Sequence, residues 1–101
     1  MSCEVRLHPA ALEEFQALDG RMRLMVAKQL IKLQDNPLAG KELGNRAGID
    51  LTGYRKLYLD NRRIRIVYQF RQEIVIVFVV SIGKREDLAV YLEAARRVQQ
   101  A

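Results

Sequence analysis

Apolar residues recur at helical spacing in the first third of the chain. They predict a first helix that begins at His8-Pro9, with proline in the first turn, and ends at Asp19-Gly20. A second helix is predicted from Arg21 to Asp35. Only a glycine joins the two, so we expect a helical hairpin that covers one side of a sheet.

A period of two replaces the helical period in the second half, which predicts strands. The links Asn61-Arg62 and Arg71-Gln72 are short enough for hairpins and predict an antiparallel meander. With a short strand at the N-terminus, the predicted strands are residues 3–7, 54–60, 63–70 and 73–82.

Residues 36–53 hold four glycines and show little periodicity, so they are predicted to form a loop. Asp87 is predicted to cap a last helix that runs to about Val98. The predicted order is β-α-α-β-β-β-α, an α+β fold on a small antiparallel sheet. A length of 101 residues fits one domain, 1–101.

The strand alternation also assigns faces. Ile64, Ile66 and Tyr68 are expected to point to the helices, and Arg65 to the opposite, more open face. The same argument puts Lys56 on that open face. Residues 74–80 are apolar on both faces, which is typical of a central strand, so the last helix or a partner is expected to cover part of the open face.

The net positive charge of the chain comes entirely from its second half. Residues 1–51 hold seven Lys/Arg and seven Asp/Glu, whereas residues 52–101 hold ten against five, which is the whole net charge of +5. This asymmetry indicates an acidic partner, such as RNA, DNA or an acidic protein. A solvated basic surface fits the charge equally well.

Several classes of function are disfavoured. Cys3 is the single cysteine, so no internal disulfide is possible and a reducing cytoplasm is expected. The N-terminus does not resemble a signal peptide, and the longest apolar run, Ile74–Val80, has seven residues where a membrane helix needs roughly 20. His8 is the only histidine, and no Cys/His cluster has zinc spacing, so neither a metal nor a cofactor is expected.

Lysine, arginine and tyrosine together suit the cleavage of RNA without a metal. The 2′-hydroxyl attacks the adjacent phosphorus, and the enzyme must align the attack, move two protons and stabilise negative charge. Arg63 to Tyr91 contains such residues, joined by Lys56. Each residue type alone also has an ordinary structural explanation. The lysine could be a solvated strand residue, an arginine could form a surface ion pair, and the tyrosine could be a packed aromatic residue.

The segment YRKLYLDNRRIRIVYQF, followed by IVIVFVVSIGKREDLAVYLEAARR, resembles the RelE branch of the RelE/ParE toxins of bacterial type II toxin–antitoxin systems. The helical hairpin fits too, so the resemblance spans nearly the whole chain. It implies a ribosome-dependent endoribonuclease (an mRNA interferase) that cleaves mRNA in the A site by 2′-hydroxyl attack.

The resemblance also implies the site. Lys56 matches the first strand lysine of the family, a proton acceptor, and Arg65 matches a phosphate-binding arginine. Arg85 matches the arginine linked to the transition state and leaving group, and Tyr91 matches a tyrosine that orients or stacks on the substrate. One departure is plain: the family's second lysine is replaced by Tyr58. RNA contacts are assigned to Arg55, Tyr58, Arg63 and Lys84.

The implied partners are the ribosome, mRNA and a cognate antitoxin protein with an acidic or amphipathic neutralising segment, which makes a toxin–antitoxin hetero-oligomer the expected inactive form. Two alternatives share the fold. One is a ParE-like protein that inhibits DNA gyrase by binding and has no nuclease activity. The other is a decayed, non-toxic binding protein, which the Tyr58 departure keeps open.

Overall fold

The computed structural model describes residues 3–46, 48–61, 63–84 and 96–97. It confirms the α+β class, with two helices and a five-stranded sheet. The elements follow in the order β1 (Glu4–Leu7), α1 (Pro9–Ala17), α2 (Gly20–Asp35), β2 (Lys41–Arg46), β3 (Ile49–Leu59), β4 (Ile64–Arg71) and β5 (Ile76–Lys84).

The strands lie in the order β1-β5-β4-β3-β2. The predicted antiparallel meander is confirmed for β3, β4 and β5. β5 lies between β1 and β4, which explains why it is apolar on both faces. β1 differs from the prediction, because it pairs parallel to β5 and makes the sheet mixed.

The prediction of a loop over residues 36–53 was wrong for most of its length. This segment contains β2 and the first five residues of β3, which pair with each other. Gly44, Gly48 and Gly53 adopt φ angles of 61°, 80° and 89°, a left-handed conformation that suits glycine. These residues and a register shift between Glu42 and Gly44 interrupt the alternation by which strands are recognised.

The link between β4 and β5 also differs. Gln72–Ile74 form a 3₁₀ turn and Val75 has φ 55°, so the last strand begins at Ile76 instead of residue 73. The strand then continues to Lys84. Gly83 and Lys84 therefore belong to the sheet, whereas the predicted strand ended at residue 82.

Both helices begin at side-chain caps. His8 Nδ1 accepts a hydrogen bond from the Ala10 amide at 3.1 Å, and Asp19 Oδ1 accepts one from Met22 at 2.8 Å. The single histidine thus marks the start of α1 and serves the fold. Within the described residues, neither helix is long and apolar enough to cross a membrane.

The main core lies between the helical pair and one face of the sheet. The face assignment is confirmed, because Ile64, Ile66 and Tyr68 point into this core. Leu57 and Leu59 of β3 pack against the same cluster. Its fully buried or nearly buried members are Cys3, Ala11, Val26, Leu33, Ile64, Ile66, Tyr68, Val77, Val79 and Ile82.

A second apolar cluster lies on the other face of the sheet. Leu43, Leu51, Tyr54, Val67 and Val80 are buried there. Leu43 and Leu51 come from the segment that the sequence had assigned to a loop. The face away from the helices is therefore less open than its polar side chains indicate.

Tyr68 ties the connection between α2 and β2 to the sheet. Its hydroxyl donates to the Pro37 carbonyl at 2.8 Å and accepts from the Gly40 amide at 2.8 Å. A Cβ on Gly40 would lie 2.6 Å from the Tyr68 oxygen and 2.9 Å from the Lys56 carbonyl oxygen. Glycine is therefore required at position 40, because the Tyr68 side chain and the β3 backbone leave no room for a Cβ.

Glu14 and Arg97 close the edge of β5 beyond the end of β1. Arg97 is 7% exposed and donates to both carboxylate oxygens of Glu14, at 2.8 and 3.0 Å, and to the Val80 carbonyl at 2.8 Å. Glu14 also accepts from the Ile82 amide at 3.0 Å. Among the described residues, this ion pair is what satisfies the Ile82 amide and the Val80 carbonyl on the edge of β5 past the end of β1.

The predicted last helix is described only at Arg96 and Arg97, which are helical. Its predicted cap, Asp87, lies outside the described residues. The same holds for two predicted site residues, Arg85 and Tyr91.

Substitution of Gly40 by alanine should destabilise the fold. The new Cβ must displace the Tyr68 ring or the β3 backbone, which we expect to cost about 3 kcal/mol in the free energy of unfolding. Urea denaturation measures this cost. Gly20→Ala is the matched control, because nothing lies within 4 Å of a Cβ there; equal stability of the two variants would contradict the described contact.

Substitution of Glu14 by alanine should lower the free energy of unfolding by about 2 kcal/mol, because it leaves a buried guanidinium and a strand amide without their carboxylate. Thermal and urea denaturation are suitable measurements. Glu13→Ala, an exposed neighbour on the same helix, should have little effect. Similar losses in the two variants would show that the ion pair does not hold this edge.

Candidate active site

Register brings two predicted site residues together across neighbouring strands. Tyr58 of β3 lies directly opposite Arg65 of β4, and Lys56 lies opposite Val67. Because residues two apart on a strand share a face, Lys56 and Tyr58 point the same way. Val67 lies in the cluster away from the helices, which fixes that face as the one these side chains share.

The side chains meet at the Tyr58 hydroxyl. Lys56 Nζ and Arg65 Nη2 each donate a hydrogen bond to the Tyr58 oxygen, both at 3.1 Å. Lys56 Nζ and Arg65 Cζ each lie 5.1 Å from the centre of the Tyr58 ring, within the range of cation–π attraction. We call these three residues the Lys56–Tyr58–Arg65 cluster.

This cluster concentrates charge on a rigid support. Two cations on adjacent strands hold one phenolic oxygen between them, so their positions are set by the sheet and by the ring. Fixed cations of this kind stabilise the negative charge that accumulates on a phosphate during cleavage. A guanidinium can also contact two phosphate oxygens at once.

Arg65 is far more buried than predicted. The sequence placed it on an open face, but the residue is only 2% exposed. Val67, two residues further along β4 on the same face, is also buried. Lys56 and Tyr58 are half-buried, so a ligand would reach the cluster first through these two residues.

Two predicted RNA contacts are not brought to the cluster. Arg55 follows the helix-side alternation of β3, donates to the carbonyls of Leu38 and Gly40 at 3.3 and 2.8 Å, and pairs with Glu42 at 3.1 Å. Arg55 therefore stabilises the connection between α2 and β2. Arg63 is exposed in the turn between β3 and β4, where its amide donates to the Asp60 carbonyl at 3.0 Å.

The other three predicted site residues are Lys84, at the end of β5, and Arg85 and Tyr91, which follow it in the sequence. Lys84 is the last residue of β5 and pairs with Ile64. Arg65 pairs with Gly83, so the residue beside Arg65 on β5 has no side chain. Arg85 and Tyr91 lie outside the described residues, and their assignment stays a prediction.

Arg71 is a basic residue that the sequence reasoning missed. Its guanidinium lies 4.7 Å from the centre of the Phe78 ring and donates to Gln69 at 2.9 Å. The alternation that assigned Arg65 also puts Arg71 on the same face, so the signal was available. The two arginines are six positions apart on β4, roughly 20 Å, which keeps Arg71 away from the cluster.

The neighbouring tyrosines are held in their neutral form. Burial raises the pKa of Tyr54, with partial opposition from the charge of Arg71. Burial also raises the pKa of Tyr68, opposed by the hydrogen bond from Gly40 and the charge of Arg55. Both therefore serve as neutral packing residues at neutral pH.

No group of three or more His, Cys, Asp or Glu side chains is placed to hold a metal ion within the described ranges.

Residues 5–89 match the family described as the ParE toxin of the type II toxin–antitoxin system parDE. The chain is 35% identical over 88 residues to the mRNA interferase toxin RelE of Escherichia coli K12, a match that covers 87% of this chain and 88% of the relative.

Solved structures agree. A doubly substituted E. coli RelE in the free state superposes with a TM-score of 0.76 at 32% identity, covering 97% of this chain and 99% of that one. The toxin chain of the intact E. coli RelBE toxin–antitoxin complex gives a TM-score of 0.69 at 29% identity, with 84% and 99% covered. Family match, sequence identity and fold agree over most of the chain, which belongs to the RelE/ParE superfamily of type II toxin–antitoxin toxins and is RelE-like.

Proposed function

We propose that this chain is an endoribonuclease that cleaves mRNA in the ribosomal A site by 2′-hydroxyl attack, without a metal ion. The Lys56–Tyr58–Arg65 cluster is the observation that carries the proposal. It places two cations on one sheet face with hydrogen bonds of 3.1 Å to a shared oxygen. The mRNA interferase name of the E. coli relative supports the same reaction.

The cluster matches the requirements of the reaction. The pentavalent transition state carries more negative charge than the ground state, so fixed cations lower the barrier. Arg65 supplies a charge whose position the strands hold, and Lys56 supplies a second charge on a half-buried side chain. Tyr58 contributes a ring on which a base can stack as well as its hydroxyl.

The remaining roles rest on family resemblance. We assign transition-state and leaving-group contacts to Arg85 and substrate orientation to Tyr91. Lys84 at the end of β5 and Arg63 in the β3–β4 turn are assigned to the RNA backbone. Arg55 is the weakest of the RNA-contact assignments, because it contacts the connection before β2.

A cognate antitoxin is the proposed regulator. A solved relative is described as a RelBE toxin–antitoxin complex, and the net charge of +5 favours an acidic neutralising segment. We propose that such a protein holds this chain in an inactive hetero-oligomer in the cytoplasm.

Gyrase inhibition is the second candidate. The family that the chain matches is described as a ParE toxin, and the family resemblance connects ParE-like members with the inhibition of DNA gyrase. The Lys56–Tyr58–Arg65 cluster favours the nuclease, since binding to a protein surface does not require two cations fixed on one phenol.

A translating extract supplied with the purified protein should yield new mRNA 5′ ends, with 5′-hydroxyl and 2′,3′-cyclic phosphate termini. Arg65→Met should reduce cleavage by about 100-fold or more, because it removes a fixed charge and keeps the apolar stem. Arg85→Ala should reduce it comparably. Primer extension and end-group analysis measure both.

Arg71→Met is the matched control, since it alters an arginine on the same strand and face, roughly 20 Å from the cluster. It should cleave like the wild type. A wild type that cleaves nothing but blocks gyrase supercoiling would overturn the nuclease in favour of the second candidate. Equal cleavage by wild type and Arg65→Met would refute the site.

RNA affinity should depend on salt through the cluster. For a short 2′-O-methylated RNA, the slope of log affinity against log salt is about 0.7 per phosphate contact. Lys56→Gln should reduce the slope by about that amount. Fluorescence anisotropy in increasing KCl measures it, and Arg23→Gln on the exposed side of α2 is the control. An unchanged slope in Lys56→Gln would show that RNA binds elsewhere.

A further inference from the structure

A second fixed guanidinium lies on the cluster's face of the sheet, at the opposite end of β4. Arg71 is half-buried, and a ring contact and a hydrogen bond hold it in place. Building on the proposed regulation by an antitoxin, we infer that Arg71, Gln69 and Tyr54 form a carboxylate-binding site for an Asp or Glu of the neutralising segment. The site anchors the partner protein and takes no part in cleavage.

Strand register brings these side chains together. Tyr54 of β3 lies opposite Gln69 of β4, and Gln69 lies opposite Phe78 of β5, so one row crosses the face away from the helices. Arg71 is two residues beyond Gln69 on that face. Its guanidinium lies 4.7 Å from the centre of the Phe78 ring, and its Nε donates to Gln69 Oε1 at 2.9 Å. The ring and the amide therefore fix the guanidinium beside this row.

The polar groups that remain in the site can all donate hydrogen bonds. They are the terminal nitrogens of Arg71, the amide nitrogen of Gln69 and the Tyr54 hydroxyl. Burial raises the pKa of Tyr54, so its hydroxyl keeps its proton, and the opposing charge of Arg71 shows that the two are neighbours. Within the part of the chain that the structure describes, none of these donors has an acceptor. An anion that only accepts hydrogen bonds therefore fits the site.

Among the described residues, no carboxylate pairs with Arg71. Other arginines of the fold pair with acids inside the chain, as in Arg6–Glu4, Arg21–Asp60, Arg55–Glu42 and Arg97–Glu14. Arg71 contacts a phenyl ring instead. Because a half-buried guanidinium has already lost part of its hydration and its freedom, a carboxylate from a second protein binds it at a reduced cost.

The surroundings favour a protein carboxylate over the backbone of RNA. Glu73 is exposed two positions after Arg71, and Glu4 of β1 lies on the same row of the sheet as Arg71, two strands away. These acids repel a polyanion, whose affinity comes from several phosphates bound at once. One guanidinium suffices for one carboxylate. Ile74, 57% exposed at the same end of the sheet, offers apolar area to a protein segment.

Distance separates this anchor from the chemistry. Arg71 and Arg65 are six positions apart on β4, roughly 20 Å. An extended segment of about six residues spans that length. A partner held at Arg71 can therefore run along the face and cover the Lys56–Tyr58–Arg65 cluster. Loss of the anchor should release the toxin from inhibition and leave its reaction unchanged.

Calorimetric titration of the purified cognate antitoxin into this protein tests the inference. Arg71→Met keeps an apolar stem beside Phe78 but removes the charge, and it should raise Kd by about 30-fold or more. Tyr54→Phe and Gln69→Leu each remove one donor and should raise Kd by about 5-fold. Arg23→Met is the matched control, because it removes the same charge from an exposed position on α2 and should bind like the wild type.

Two further measurements separate anchoring from folding and identify the ligand. Arg71→Met should unfold at the wild-type urea concentration and cleave mRNA like the wild type, yet keep cleaving at an antitoxin concentration that silences the wild type. Arg71→Glu should abolish binding, and replacement of one Asp or Glu of the antitoxin by Lys should restore it. If no such replacement restores binding, the ligand is not a carboxylate.

Equal Kd values for wild type and Arg71→Met, or equal losses in Arg71→Met and Arg23→Met, would overturn the anchor. A loss of affinity for a short 2′-O-methylated RNA, with antitoxin binding unchanged, would assign the site to phosphate and overturn it too. Failure of the nuclease is distinguishable, because the titration does not depend on cleavage. If the wild type cleaves no mRNA and Arg71→Met still weakens antitoxin binding, the nuclease falls and the anchor stands.

Discussion

The antiparallel register of β3 with β4 is the constraint on which the candidate site depends. It puts Tyr58 opposite Arg65 and brings Lys56 to the same face, so three side chains from two strands meet at one oxygen. A register shift of one residue would turn the side chains of one strand toward the helices, and the cluster would not form. The register is in turn held by burial, because Leu57 and Ile66 are paired residues that both pack in the helix-side core.

Placing two cations beside each other on a mostly buried face costs solvation, and the fold offsets this cost locally. The Tyr58 oxygen accepts from both cations and its ring lies 5.1 Å from each. Arg97 and Arg55 pair with Glu14 and Glu42, and these two ion pairs stabilise an edge and a connection of the fold.

Much of this could be predicted from the sequence, since alternation is strong wherever one face of a strand is buried. Ile64, Ile66 and Tyr68 marked the helix side, and Lys56 and Arg65 the other. The burial of Arg65 could not be predicted, because alternation assigns a residue to a face of the sheet and not its exposure there. Leu43 and Leu51 of the second apolar cluster lie in the glycine-interrupted segment, where residues with φ > 0 conceal the strand pattern. Nor did any local pattern indicate that Glu14 would meet Arg97, 83 residues away.

The central claim is that this face of the sheet receives the scissile phosphate of mRNA. The most direct test is a cryo-electron microscopy structure of the protein on a ribosome whose A-site nucleotides carry 2′-O-methyl groups, which prevents attack. We predict that the phosphate lies within hydrogen-bonding distance of the Arg65 or Lys56 nitrogens, about 3 Å. RNA lying against α1 and α2, or against the β2 edge with the cluster empty, would contradict it.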